Sequence, residues 1–373
     1  MNPIGSLKNK NERKAPVRVL LVGPSLRILG GQAVQAERMR RLLGEEKALE
    51  VAFLPVNPQL PGPLGWLQRI RYVRTVVTSI AYWALLLWRV RGYDVIHAFS
   101  ASYWSFLLAP VPAVLAANLY GKPSLVNYRS GEASDHLANW PSAAWFLRRA
   151  TAIVVPSGFL VDVFGRFGFQ AEAIPNSVDT ARFRYRERSP LRPVFLSNRN
   201  LEPLYNVACI LRAYARLERD YPGARLLVAG DGSQRAELEA LTARLELRGV
   251  SFLGQVSPEA MAGLYDQADI YLNAPNLDNM PASILESYAS GLPVASTNAG
   301  GIPYIVRDGE TGLLVNPDDD EALAAAAARY LREPAFAAAV MASARLEMER
   351  YRWDGIARQW VALYQRLAGA GRC

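Results

Sequence analysis

Two acids stand eight positions apart in the stretch Pro275 to Thr297, "PNLDNMPASILESYASGLPVAST", with Asp278 ahead of a proline and Glu286 inside a short helical run. Asp278 and Asn279 occupy N-cap-like positions, Pro281 suits a first turn where its missing N–H costs nothing, and Gly291 ends the helix. Glu286 then lies about a turn and a half into the helix, roughly 7 Å along its axis. Two carboxylates so placed can each grip a sugar-like diol, because a carboxylate accepts paired hydroxyl hydrogens. The positive helix end between them offers backbone amides to phosphates. The plainer alternatives are a helix cap at Asp278 and a solvated helix residue at Glu286.

Glycines add two weaker anion signals. Gly30 and Gly31 in "LGGQAVQAERMRRLL" directly precede a helix, and Gly230 and Gly232 in "RLLVAGDGSQRAEL" follow a strand and open another. Either pair lets backbone N–H groups approach an anion, although a glycine pair is often only a tight turn. Neither completes a G-x-G-x-x-G fingerprint, which disfavours nicotinamide chemistry.

These residues need elements to hold them. The apolar run "RVLLVG" is followed by strand-like "VAFLPV", "VIHAF", "PSLVNYR", "TAIVVPS" and "AEAIPN", separated by helix-length segments. A second series runs through "PVFLSN", "RLLVAG", "VSFLG", "DIYLNAP", "LPVAST" and "TGLLVN". Such alternation predicts open parallel sheets with helices on both faces. Between its first two members, Val207, Ile210, Leu211, Tyr214 and Leu217 recur at helical spacing, as in an amphipathic crossover. The charged "DTARFRYRERSPLRP" at Asp179 to Pro193 reads as a linker, and "RWDGIARQWVALYQRL" as a final helix whose apolar face needs a cover. We therefore divide the chain into a basic disordered tail (1–16), two Rossmann-like domains (17–185 and 186–352) and a C-terminal helix (353–373).

Length agrees with two domains, since 373 residues exceed what one core usually supports. Two cysteines, Cys209 and Cys373, cannot form a disulfide framework, and no opening segment resembles a signal peptide, which points to the cytoplasm. His97 and His136 are too few and too isolated for a histidine metal site. The net charge of +8 is not gathered into a basic arm, so an anionic small molecule or surface is a better partner than nucleic acid.

Val76 to Trp88 is apolar but shorter than the roughly 20 residues of a spanning helix, and Ala98 to Tyr120 contains Pro110 and Pro112. Both are expected to cover the sheet. Val51 to Tyr93 nevertheless contains no acid, carries Arg69, Arg71, Arg74, Arg89 and Arg91, and opens the zone holding six of the eight tryptophans. That mixture suits an anionic membrane surface, against the alternative of a solvated basic face over an aromatic core.

In sum the pattern resembles the retaining glycosyltransferases of family four. The matching pieces, in order, are "LGGQAVQAERMRRLL", "IPNSVDTARF", "LLVAGDGSQRAEL", "VSFLGQVSPEAMAGLYDQADIYL", the acid-x7-Glu segment, "ASGLPVAS", "AGGIPYIV" and "DGETGLLVNPDD". The resemblance implies an α/β GT-B fold, two facing Rossmann-like doubly wound domains with a C-terminal crossover helix. It implies a nucleotide-diphosphate-sugar donor, no metal or other cofactor, and a sugar or lipid-linked acceptor held mainly by the N-terminal domain. By the same resemblance Glu286 binds ribose hydroxyls and Asp278 the donor sugar, while backbone across Asn279, Met280, Pro281 and Ala282 holds the diphosphate. Backbone at Gln255 and Val256 holds the base, Arg199 clamps phosphate, and Gly31 and Gly230 approach the donor.

Three positions depart from that family's pattern. The first acid is Asp278 where Glu is usual, Leu204 or Tyr205 stands where a Lys usually follows the arginine, and Arg129 replaces a histidine after the strand "PSLVNYR". Another arginine can take over a phosphate contact in bidentate fashion, so Arg129 is expected at the site. The rival reading is a catalytically inert GT-B protein that binds nucleotide sugar or assembles partners.

Overall fold

The structure, a computed structural model, describes residues 15–25, 31–60, 62–70 and 73–370. All but the last two residues of the basic tail, together with Gly30, Arg71 and Cys373, lie outside the described residues.

Twelve strands form two six-stranded sheets. The first contains β1 (Val17–Gly23), β2 (Leu49–Pro55), β3 (Val95–Ser100), β4 (Ser124–Tyr128), β5 (Ala152–Val155) and β6 (Glu172–Ala173), in the order β2-β1-β3-β4-β5-β6. The second contains β7 (Val194–Ser197), β8 (Arg225–Ala229), β9 (Val250–Gly254), β10 (Ile270–Asn273), β11 (Val294–Thr297) and β12 (Leu313–Val315), in the order β12-β11-β10-β7-β8-β9. Every pairing within them is parallel. Central strands such as β3, β4, β7 and β10 are buried end to end, as sheets covered on both faces require. Strand order reverses between β1 and β3 in one sheet and between β7 and β10 in the other. Open α/β sheets take ligands beyond the carboxyl ends of strands at such points.

The crossover Val207–Asp220 buries Val207, Ile210, Leu211, Tyr214 and Leu217, the residues its periodicity singled out. The segment Asp179 to Pro193 is more firmly held than its charge suggests. Phe183 enters the second core, and the arginines Arg186, Arg188 and Arg192 converge on the buried Asp269 at 3.0, 3.5 and 2.8 Å. Burial alone would raise the Asp269 carboxyl, but hydrogen bonds from Arg192 and the charges of Arg192 and Arg186 outweigh it and hold the group below its usual range. Sequence reading saw a polar linker because it could not see the acid that collects its charges.

The final helix, Trp353–Ala370, returns to the first sheet. Ile356, Trp360, Leu363, Tyr364 and Leu367 share a core with Val19, Leu21, Val95, Leu125 and Val154. A buried polar contact fixes its register: Asn127 donates to His97 Nε2 at 3.1 Å, so His97 Nδ1 carries the proton and donates to the Tyr364 hydroxyl at 2.7 Å. Burial, aided by the Arg129 charge, pushes the His97 pKa down to about 3 and keeps the ring neutral.

The helix Val73–Arg89 covers the sheet through Tyr82 and Leu86, as expected of it. Its length is a correction: with the turn that follows it spans Val73–Gly92, 20 residues, one helix long and apolar enough to cross a membrane, of which only 17% is buried. Val73, Val76, Ile80 and Trp88 point outward at helical spacing, with Ile80 63% and Trp88 70% exposed. The stretch after β3 divides into Tyr103–Leu108 and Pro110–Leu119, and the second of these is buried from Pro110 to Ala117 except at Leu115.

Trp360 is 1% exposed and stacks on His97 at 5.0 Å between ring centroids. Trp360→Ala is expected to destabilise the protein by about 3–5 kcal/mol in a denaturant titration, the usual range for emptying a buried indole site. A loss below about 1 kcal/mol, the range of surface substitutions, would mean that the helix does not close this core in solution.

Candidate active site

The carboxyl-terminal edges of the two sheets face each other across a cleft of about 520 Å³. Asn198 and Arg199 follow β7, and the loop Leu277 to Pro281 follows β10, so the second sheet's switch point supplies the core of the lining. The first sheet contributes Gln32, Gln35 and Arg38 from the helix Gly31–Gly44, and Arg129 to Glu132 from the loop after β4.

The site helix spans Ala282–Ser290 and stops at Gly291, whose φ of 77° suits a residue without Cβ. Its start corrects the expected cap. Pro281 is the capping residue and makes no side-chain cap; the Asp278 carboxylate instead accepts the Asn279 amide at 2.8 Å, one residue along the loop. Nothing therefore covers the helix end. The amides of Met280, Ala282 and Ser283 have no acceptor among the described residues, as a first helical turn leaves them.

The loop before the helix is held from three sides. Asn279 accepts from Ser157 and donates to the Arg129 carbonyl at 3.3 Å, and Asn176 donates to the Met280 carbonyl at 3.2 Å. Behind it, the Gly301 amide donates to the Asp278 carbonyl at 2.8 Å, and a Cβ on Gly301 would stand 2.0 Å from the Asn279 oxygen. The "AGGIPYIV" glycines thus let one backbone lie directly on another. Gly230 works similarly one layer away: its φ is 147°, and a Cβ there would meet the Arg199 carbonyl at 2.3 Å. It lies behind Arg199, outside the lining.

Each acid holds an arginine in this cleft. Asp278 Oδ2 lies 2.5 Å from Arg199, whose guanidinium lies over the Tyr205 ring at 4.2 Å and whose Nε is buried with no partner. Burial works against the Arg199 charge, yet Asp278, Tyr205 and Tyr271 outweigh it and raise the pKa. Glu286 is not a solvated helix residue. Its side chain is 14% exposed, accepts from the Tyr265 hydroxyl at 3.1 Å, and lies 3.9 Å from Arg38 of the opposite domain. Burial raises its pKa, opposed by Arg38, the Tyr265 hydrogen bond, Arg182 and Arg199.

Arg129 donates to Asn176 and, at 3.5 Å, to Asn127, and has no carboxylate partner among the described residues. Burial, then the charge of Arg38, pushes its pKa down to about 10, which leaves it charged at neutral pH. Of the other anticipated positions, Asn279, Met280, Pro281, Ala282 and Val256 line the cleft. Gln255 is exposed and outside the lining, which places only the second member of that pair at the cavity. Gly31 opens its helix, and the neighbouring Gln32 lines the cleft.

Arg38 is a site residue that the glycine pattern before its helix does not reveal. Its signal was present: Gln32, Gln35 and Arg38 repeat every three residues beside the buried Ala33 and Ala36, a polar stripe next to an apolar one. Tyr265 and Asn176 carry no comparable signal, because only the tertiary fold brings them to Glu286 and the loop.

Two doubly wound sheets facing across such a cleft define the GT-B class. The model of Glycosyltransferase Family 4 matches residues 29–182 and that of Glycosyl transferases group 1 matches 181–347. The chain belongs to the group 1, family four-like glycosyltransferases. It is 28% identical over 290 residues to glycogen synthase of Mycobacterium tuberculosis, covering 73% of this chain and 68% of that protein. It is 30% identical over 217 residues to phosphatidyl-myo-inositol mannosyltransferase of Mycolicibacterium smegmatis, covering 55% of this chain and 54%, about half, of that one. The structure of Anabaena Alr3699/HepE in complex with UDP and glucose superposes with a TM-score of 0.73 at 19% identity, over 93% of this chain and 99% of that one. Sucrose-phosphate synthase from Thermosynechococcus elongatus gives 0.74 at 20%, over 95% and 100%.

Arg38→Met removes the nearest cation from a buried carboxylate and is expected to raise the Glu286 pKa further, followed by carbon-13 NMR of labelled glutamate with Glu286→Gln as the assignment. A carboxyl whose folded pKa is raised binds its proton more tightly in the native state, so stability falls as pH rises through the titration. The variant should therefore lose more stability than the parent as pH rises above the ordinary carboxyl range. An unchanged Glu286 titration would show that the pair across the cleft does not form in solution.

Proposed function

We propose that the protein is a retaining, metal-independent glycosyltransferase that moves a hexosyl-type sugar from a nucleotide-diphosphate donor to an acceptor held mainly by the N-terminal domain, in polysaccharide or glycolipid synthesis. The observation that carries this reading is the uncovered start of the site helix, with unpaired amides flanked by Asp278 and Glu286, each already facing an arginine. The diphosphate lies on the Met280, Ala282 and Ser283 amides and draws Arg199, whose Nε is unpartnered, away from Asp278. Asp278 is then free for sugar hydroxyls and Glu286 for ribose. Preorganised donors, Arg129 and the helix dipole stabilise the leaving group as its charge develops. Departure and attack share one face of the sugar, and no protein nucleophile takes part. Supporting a nucleotide sugar as donor, the Anabaena neighbour is complexed with UDP and with UDP-glucose.

The two acids should fail differently. Glu286→Ala removes charge-assisted hydrogen bonds worth roughly 1.5–3 kcal/mol, so free nucleoside diphosphate should bind about ten- to a hundredfold more weakly in calorimetry. Asp278→Ala releases Arg199 and should leave that affinity intact or improved while lowering kcat/KM for the full donor. Equal losses of nucleotide binding in both variants would refute the division of labour, and binding without any donor turnover would favour an inert binder.

The same reading places the protein at the inner face of the membrane, supported by the outward stripe of Val73, Val76, Ile80 and Trp88 beside Arg69 and Arg74. Each arginine near an anionic surface contributes on the order of 1 kcal/mol at most. Sedimentation with anionic vesicles should therefore drop several-fold when Arg69 and Arg74 are both changed to Glu. Binding indifferent to that change or to lipid charge would remove the membrane from the proposal.

A further inference from the structure

The first sheet has a switch point of its own, between β1 and β3, and a second cavity of about 690 Å³ opens there. Gln32 lines both this cavity and the donor cleft, so it stands where the two spaces meet. Phe99 lies at the inner end, following the direction of β3. The walls come from Val73–Arg89, which presents Arg74 and Thr78, and from Tyr103–Leu108, which presents Trp104 and Leu108.

The lining is mixed: Gln32, Asn57, Gln68 and Thr78 are polar, while Trp104 is 69% and Leu108 46% exposed. The helix Val73–Arg89 carries the apolar stripe of Val76 and Ile80 on its outward face, away from Arg74, Thr75, Thr78 and Ser79, which line the cavity. Arg74 is exposed and has no carboxylate partner among the described residues, in a segment that contains no acid from Val51 to Tyr93. A free saccharide would leave Trp104, Leu108 and this cation without a counterpart. Exposed apolar surface of this kind rimmed by polar groups marks an interaction site, and its volume suits a small ligand.

We propose that this cavity takes the acceptor as a phosphate-bearing lipid, with a hydroxylated head directed to Gln32, its phosphate at Arg74 and its hydrocarbon leaving over Trp104 and Leu108. The word acceptor rests on the transfer reading above; the lipid site does not. In the transfer, an oxygen of the head forms a bond to the donor's anomeric carbon. The bond from that carbon to the diphosphate oxygen breaks with its electron pair, and the hydroxyl proton passes to the departing diphosphate.

Calorimetry of the full chain with dodecyl phosphate below its aggregation concentration, dodecyl maltoside and inorganic phosphate tests the chemistry. Dodecyl phosphate should bind about tenfold or more tightly than dodecyl maltoside, the worth of one charge-assisted contact, with no detectable binding of inorganic phosphate. Arg74→Glu should abolish the difference between the two amphiphiles, and Leu108→Asp should weaken both. Leu346→Asp, 75% exposed on the other half of the molecule, should change neither. Equal affinity for the two amphiphiles, binding of inorganic phosphate as tight as dodecyl phosphate, or insensitivity to both cavity variants overturns the proposal. A protein that consumes nucleotide sugar but shows any of those results loses the lipid site alone. One that meets the binding expectations yet turns over no nucleotide sugar keeps the site and loses the transfer reading.

Discussion

A parallel strand must be followed by a crossover before the next strand can pair, so in each sheet every strand ends, and every following helix begins, on the same edge. Unpaired helix amides and short polar loops therefore collect there without any special sequence. This molecule sets two such edges face to face, and the final helix Trp353–Ala370 ties the chain's end back onto the first sheet. The cleft between them receives Arg199 and Asp278 from the second sheet and Arg38 and Arg129 from the first. The chemistry available at the site follows from that juxtaposition more than from any single motif.

Electrostatics shapes what this cleft can hold. Four arginines line it, Arg38, Arg129, Arg182 and Arg199, against three acids, Glu132, Asp278 and Glu286. A buried charge without a partner is costly, and here Asp278 and Glu286 each neutralise one arginine while the unpaired Arg129 rests on asparagine oxygens. A diphosphate can replace both carboxylates as partner to these cations, which frees the acids for hydroxyls. These pairings are complementary to a molecule that carries phosphate and polyol together.

Much of this was legible in the sequence, for identifiable reasons. The central strands β3, β4, β7 and β10 follow the apolar runs because buried parallel strands are continuously apolar, and the crossover Val207–Asp220 follows its helical spacing. The site helix and its glycine stop were legible because caps are local chemistry. What failed to show was long-range: Asp269 gathering three arginines from the supposed linker, Arg38 reaching Glu286 from the other domain, and Tyr265 beneath it. The expected cap at Asp278 failed for a related reason. Its side chain serves the loop and Arg199, both set by tertiary contacts, so local propensity lost to packing.

The loop after Arg199 offers Leu204 or Tyr205 where the pattern this chain resembles usually has a lysine. Tyr205 lies under the Arg199 guanidinium and braces that cation. A cation over an aromatic face keeps its charge while losing freedom to move. Across the cleft, Arg129 supplies a cation from the first sheet. Because the two walls belong to different sheets, the anion's grip then depends on their approach, and the contacts from Ser157, Asn176 and Arg129 to the Asn279–Met280 loop are the ones that set that distance.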